Sequence, residues 1–205
     1  FWSQIVGISL FLLALVLVRP DFTFSPFLVL LLVVAAFGYA LGYLFFYKAF
    51  EVGNISVVST VINLGTILAM SVAVIVFGQK LSPIQILGVS AVFIGVILVG
   101  VNFKDFMDGK VSFTKGVKET ILASILFGVF YWPINEYIVE KADWLSASII
   151  IKFLSLAIVY FVSRSRKTKL KIENPTKNIF PVLVLVGALE AVGVSRDTRK
   201  QYKTK

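Results

Sequence analysis

The stretch from Gly38 to Gly100 limits what this chain can become more than any other. It runs GYALGYLFFYKAF, a polar break EVGN, ISVVSTVINLGTILAMSVAVIVFG, a second break QKLSP, and IQILGVSAVFIGVILVG. Each apolar run is close to the ~20 residues that cross ~30 Å of hydrocarbon as helix, and neither break is long enough for a domain. Breaks of a few residues also place consecutive helices antiparallel and side by side. Of the 205 residues 58% are hydrophobic and 15% charged, against ~25% charged in soluble domains. The fold class that follows is all-α, a polytopic membrane helix bundle.

The chain contains no cysteine and no histidine. Disulfides, thiolate and imidazole metal sites, cysteine and serine-histidine nucleophile arrangements and histidine proton relays are therefore absent together. No catalytic residue, metal or cofactor is expected. A net charge of +9 could suggest nucleic acid. The basic residues, however, cluster at the ends of apolar runs, where they meet anionic lipid headgroups, most densely at Arg164–Lys171. The expected partners are a small-molecule substrate and the lipid bilayer of the cell membrane, with no nucleic acid; a homodimer is compatible with this reading.

In chain order the spans are 2–18, 27–50, 55–77, 84–101, 119–139, 145–162 and 180–195, about seven in all. The first begins without Met or a charged leader region, so the sequence reads as a fragment of a longer protein. Arg19-Pro20-Asp21 stops that helix, because proline and its predecessor disfavour further α-structure. Gly38-x-x-x-Gly42 in the second span is a spacing that lets helices approach closely. Gly95-x-x-x-x-Gly100 has P-loop spacing, but Val101 and Asn102 stand where Lys and Ser or Thr are required. Leu183–Gly193 can be laid on Leu28–Gly38 without gaps, which supports an internal repeat. The expected organisation is a first repeat over 1–101, a connecting loop 102–118, a partial second repeat 119–195 and a polar basic tail 196–205.

Several of these features carry a family resemblance. Tyr47-Lys-Ala-Phe-Glu-Val-Gly-Asn54, the Ser/Thr-dotted helix after it, Gly78-Gln-Lys-Leu-Ser82, and Gly88 and Gly95 in the next span together resemble the EamA-type repeat of the drug/metabolite transporter superfamily. Thr66 stands where that family often has proline, and Gln79 where it usually has glutamate. The resemblance implies ten helices in two inverted repeats, of which this chain would lack the first and the last two. It also implies that Lys152-Phe153 occupies a place where such repeats commonly carry Arg-Phe.

Candidate site residues follow from polar groups in apolar spans. Ser56, Ser59, Thr60, Asn63 and Thr66 recur at helical spacing and share one face, which lines either a cavity or a hydrogen-bonded helix seam. Tyr131-Trp132-Pro133-Ile134-Asn135-Glu136 places a proline, which removes a backbone hydrogen bond, beside an amide and an acid. Trp132, Asn135 and Glu136 belong there either to a site or to an interfacial aromatic belt. Lys152 has about two turns of apolar residues on both sides, and insertion scales make a central lysine ~2.5–3.5 kcal/mol unfavourable. It must face the bundle interior, near Glu136, Glu190 or the face of Asn63, either as an anion contact or as half of a structural ion pair.

Three functions fit. The first is a secondary transporter of a small metabolite or drug-like compound, ion-coupled or exchanging, working by alternating access around a central site. The second is a multi-pass membrane enzyme using Glu136 and Glu190, and the third a non-transporting membrane assembly subunit. Orientation is left open, since the positive-inside rule and the usual topology of the resembling family place Lys48, Lys104, Lys110, Lys115 and Lys118 on opposite sides.

Overall fold

A computed structural model describes residues 2–101, 113–166 and 181–189. Among them the ordered elements are helices: α1 (Trp2–Val18), α2 (Pro26–Val52), α3 (Ile55–Val61), α4 (Leu64–Phe77), α5 (Pro83–Gly100), α6 (Val117–Ile125), a π-helical segment (Leu126–Tyr131), α7 (Trp132–Lys141) and α8 (Trp144–Ser165), followed by helical residues 181–189. Five stretches are long and apolar enough to cross a membrane: Pro26–Val52, Ile55–Phe77, Pro83–Gly100, Val117–Lys141 and Trp144–Ser165. The expected first span is apolar but shorter, at 17 residues. Of the expected last span, residues 180 and 190–195 lie outside the described residues, as do residues 167–171 of the expected headgroup contact Arg164–Lys171, residues 102–112 of the connecting loop and all of the basic tail.

The helix ends follow from local chemistry. Proline at position 20 closes α1, and Arg19 turns to φ 48° there while its N–H still reaches Leu15 O at 3.1 Å. Asn54 accepts the Ser56 N–H at 2.9 Å and so starts α3. Gly78, at φ 65°, takes the left-handed conformation that ends α4 with least strain. Ser82 and Gln85 form a reciprocal capping box ahead of Pro83, the first residue of α5. Asp143 caps α8 by accepting from the N–H groups of Leu145 and Ser146.

The chain packs as two compact units. One gathers Phe1–Ala40 and Ile134–Lys205, the other Leu41–Pro133. In the first, Gln4 meets Lys152 while Phe11 clusters with Leu145 and Ile149, so α1 and α8 run antiparallel. In the second, Val61, Val96 and Val117 bring α3, α5 and α6 together. The outward faces of α4 and α5 stay apolar, with Ile75 81% and Ile84 78% exposed, as expected of helix faces bathed in lipid.

Two spans that the sequence suggests are continuous are interrupted in this second unit. The span 55–77 breaks at Ile62–Asn63, where Gly65 N–H bonds Ile62 O at 3.0 Å, three residues back, instead of Val61 O four back. The released carbonyls are met by side chains. Asn63 Nδ2 donates to Ser59 O and Thr60 O at 3.0 and 3.2 Å. Ser124 Oγ, bonded to Thr120 O at 2.8 Å, also lies 3.5 and 3.4 Å from the Val61 and Ile62 oxygens.

The span 119–139 widens into π-helix over Leu126–Tyr131, just before Pro133. Proline lacks an N–H and its ring crowds the carbonyl four residues earlier. Wider winding moves the pairing out of that conflict, with Trp132 N–H donating to Phe127 O, five residues back. The wide turn also carries Phe127 onto Gly42, where a Cβ would stand 2.7 Å from the ring. Gly42 thus seats an aromatic side chain.

Ser124→Ala is expected to lower thermal stability in detergent by about 1 kcal/mol, the upper part of the range for interhelical hydrogen bonds in membranes. Ser71→Ala, which removes only a bond to Ile67 O on its own helix, should leave the unfolding midpoint unchanged. Equal midpoints for the two variants would show that Ser124 does not support the break.

Candidate functional site

Lys152 defines the site. It is eight residues into α8, roughly 12 Å from one end and 20 Å from the other at 1.5 Å per residue, and it is only 3% exposed. Its Nζ donates to Tyr39 Oη at 2.6 Å and to Gln4 Oε1 at 3.2 Å, and lies 4.9 Å from the centroid of the Tyr39 ring. The ring face contributes a cation–π attraction that strengthens in a desolvated setting. Tyr39 Oη in turn donates to Gln4 Oε1 at 3.4 Å. Three helices therefore contribute: α1 through Gln4, α2 through Tyr39 and α8 through Lys152.

The register that brings these groups together is set by small and hydroxyl residues. Ser155, one turn beyond Lys152, donates to Ile151 O at 2.6 Å and lies 3.2 Å from Ala36 O, which ties α8 to α2 beside Tyr39. Ala35, Ala36 and Ala40 are buried, so α2 can come close at this level. On α1, Gly7 sits under the ammonium: a Cβ there would stand 3.9 Å from Lys152 Nζ and 3.5 Å from Gly187 O. One turn before Lys152, Ser148 is 4% exposed, and its hydroxyl oxygen has no hydrogen-bond partner among the described residues.

The other expected site residues are placed as follows. Asn135 is buried and Glu136 half-buried on α7, in the same compact unit as Lys152. Trp132 belongs to the other unit, is 37% exposed, and has its ring 5.1 Å from that of Tyr131. Ser59 and Asn63 also belong to the second unit and are exposed, with the Asn63 amide engaged by the α3–α4 break. Asn63 and Thr66 line a groove of about 210 Å³ with Ile67, Met70, Gln85 and Gly88. Glu190 lies outside the described residues.

Gln4, Tyr39 and Ser148 do not emerge from the sequence reading, although a signal for each is present. Gln4 carries the only amide in the apolar stretch 2–18, and Ser148 and Lys152 share a face of α8 at i, i+4 spacing. No group of three or more acidic residues capable of holding a metal ion occurs among the described residues.

An all-α bundle with five membrane-length apolar stretches among its described residues is an integral, polytopic membrane protein. Residues 1–101 match the family model of EamA-like transporters. Over these residues the chain is similar to the EamA-like transporter family of the drug/metabolite transporter superfamily. No curated protein and no solved structure matches it.

Proposed function

We propose that this protein is a secondary transporter of the cell membrane that carries a small metabolite bearing an anionic group, by alternating access around Lys152. The observation that carries this reading is the buried ammonium of Lys152 within an apolar span, supported by Tyr39 and Gln4 from two further helices. A cation that deep is costly and is retained where it meets a substrate, an ion or a counter-charge. A carboxylate or phosphate arriving from water exchanges its hydration for the ammonium and the hydroxyls around it. Glu136 or Glu190 would supply proton coupling by taking up and releasing a proton during the cycle. The repeats at 1–101 and 119–195 would move against each other, and Arg164–Lys171 would rest on anionic headgroups.

Counterflow in liposomes tests this reading. Protein reconstituted with an internal solute pool is offered labelled carboxylates, phosphates, nucleosides, sugars and cationic drugs. Exchange of carboxylate- or phosphate-bearing solutes well above protein-free liposomes is expected. Exchange of cations alone, or of nothing, would overturn the assignment.

A further inference from the structure

We infer that the groove between α4 and α5 is a binding site for an uncharged, membrane-dissolved molecule made of one ring and one hydroxyl group, a small phenol. The groove lies in the compact unit without Lys152, so binding there is independent of any anion at that residue.

The space is open. The groove holds about 210 Å³, and a Cβ added to Gly88, which lines it, would meet nothing within 4 Å. A cavity of ~150 Å³ is enough for benzene, so one ring with short alkyl branches fills this one. Val61 packs with Val96 where α3 and α5 meet, and residues 78–82 turn the chain back between α4 and α5. Asn63 and Thr66 therefore stand at the end of the groove near Val92, and Met70 at the other end near Gln85. Gln85 is the third residue of α5, close to the membrane surface, and its amide oxygen is engaged by the Ser82 N–H. Asn63 is the ninth of the 23 residues of its span, close to the middle of the hydrocarbon.

The deep end is left incomplete by the break at Ile62–Asn63. Ser71 and Ser90, the other hydroxyls of α4 and α5, donate to the carbonyl four residues back at 2.9 Å, the usual arrangement for a hydroxyl in an apolar helix. Thr66 would find Ile62 O there, but that oxygen accepts from the Gly65 N–H at 3.0 Å and lies 3.4 Å from Ser124 Oγ. Thr66 Oγ1 has no hydrogen-bond partner among the described residues, and neither has Asn63 Oδ1, since the side-chain bonds of Asn63 run through Nδ2. Polar groups left so among hydrocarbon are costly. A ligand hydroxyl completes both, accepting from Thr66 Oγ1 and donating to Asn63 Oδ1.

The remaining walls select the rest of the ligand. No acidic or basic residue lines the groove, so a carboxylate or an ammonium would enter the low-dielectric region without a counter-charge. A lipid tail suits Ile67, Met70 and Val92 but leaves Thr66 and Asn63 as they are. Ile75 on α4 and Ile84 and Leu87 on α5 are exposed, which places the groove on the apolar outward flank and lets the ligand arrive dissolved in the bilayer.

Methionine-methyl NMR on the full chain in lipid nanodiscs tests the site, because Met70 lines the groove and Met70→Leu assigns its signal. The probes are thymol, its hydrocarbon counterpart p-cymene, benzoate and benzylammonium, compared at equal concentration in the bilayer. Thymol is expected to shift the Met70 signal to saturation and to bind about threefold to tenfold more tightly than p-cymene, the worth of one neutral hydrogen bond, while the two ions do not bind. Thr66→Val, which keeps the shape and removes the hydroxyl, should bring thymol down to the level of p-cymene and leave p-cymene unchanged. Gly88→Leu should fill the groove and remove the response to both, with an unfolding midpoint at or above wild type. Equal binding of thymol and p-cymene, unchanged thymol binding in Thr66→Val, or tighter binding of either ion would overturn the site. A Met70 shift that rises without saturating would leave only bilayer lipid in the groove, and one that follows protein concentration instead of ligand would put a second copy of the chain there; each of these overturns it as well.

Discussion

Lys152→Ala is expected to cut solute flux at sub-saturating substrate by one to two orders of magnitude while leaving the amount and the thermal stability of the protein in the membrane close to wild type. The stability half of this expectation comes from the neighbours. Tyr39 Oη and Gln4 Oε1 are already 3.4 Å apart, so when the ammonium goes, these two groups can close on each other. Removing a deeply buried charge also relieves an insertion cost of ~2.5–3.5 kcal/mol. The functional half follows from the bond to substrate. Hydrogen bonds to charged groups are worth ~1.5–3 kcal/mol, so apparent affinity should fall roughly 10- to 150-fold. Lys152→Arg keeps the charge on a larger planar head that Gly7 and Tyr39 do not shape, and should retain part of the flux. Flux per molecule in liposomes and unfolding midpoints in detergent measure the two halves. Full flux in Lys152→Ala, or loss of the protein from the membrane, would instead make Lys152 a structural element.

The same cluster marks how far the sequence could be read. Lys152 stood out because a charge deep in an apolar run needs only one helix to be recognised. Its partners required the register among three helices, and Gln4, Tyr39 and Ser148 are ordinary residues until that register is known. Of the two acids expected near it, Glu136 is half-buried on α7 and Glu190 lies outside the described residues. The spans themselves were legible, since a long, continuously apolar run satisfies its backbone within its own segment only as helix. The interruptions inside them were not. The break at Ile62–Asn63 depends on Ser124, some sixty residues away, and the π-helical turn at Leu126–Tyr131 answers both Pro133 within its own span and the backbone of Gly65 across the packing. The polar face of Ser59 and Asn63 was visible as a stripe, yet its groups mostly serve the helix that carries them.

Substitution of Gly128 should be far more damaging than substitution of the other glycines of the α4, α5 and π-helical segments. The π-helical turn presses Gly128 against α4 so closely that a Cβ would collide with the carbonyl oxygen of Gly65 and stand 2.9 Å from Leu68 Cβ. Backbone cannot swing aside as the end of a flexible side chain can, so Gly128→Ala must part the two segments. Overpacking of this kind typically costs ~1–3 kcal/mol, and here it also pulls Ser124 away from the carbonyls it meets at the α3–α4 break. Gly65→Ala should be intermediate, because its Cβ would meet Ser124 O at 3.3 Å, a contact that a few tenths of an ångström relieve. Gly88→Ala and Gly95→Ala, with nothing within 4 Å, should be neutral or slightly stabilising, since alanine favours helix over glycine by ~1 kcal/mol. Thermal midpoints of the four variants in one detergent should fall in that order, with Gly128→Ala several degrees below wild type and depleted of monodisperse protein. A Gly128→Ala midpoint level with that of Gly95→Ala would mean that α4 and the π-helical segment do not touch as described, and that the wide turn is set by Pro133 alone.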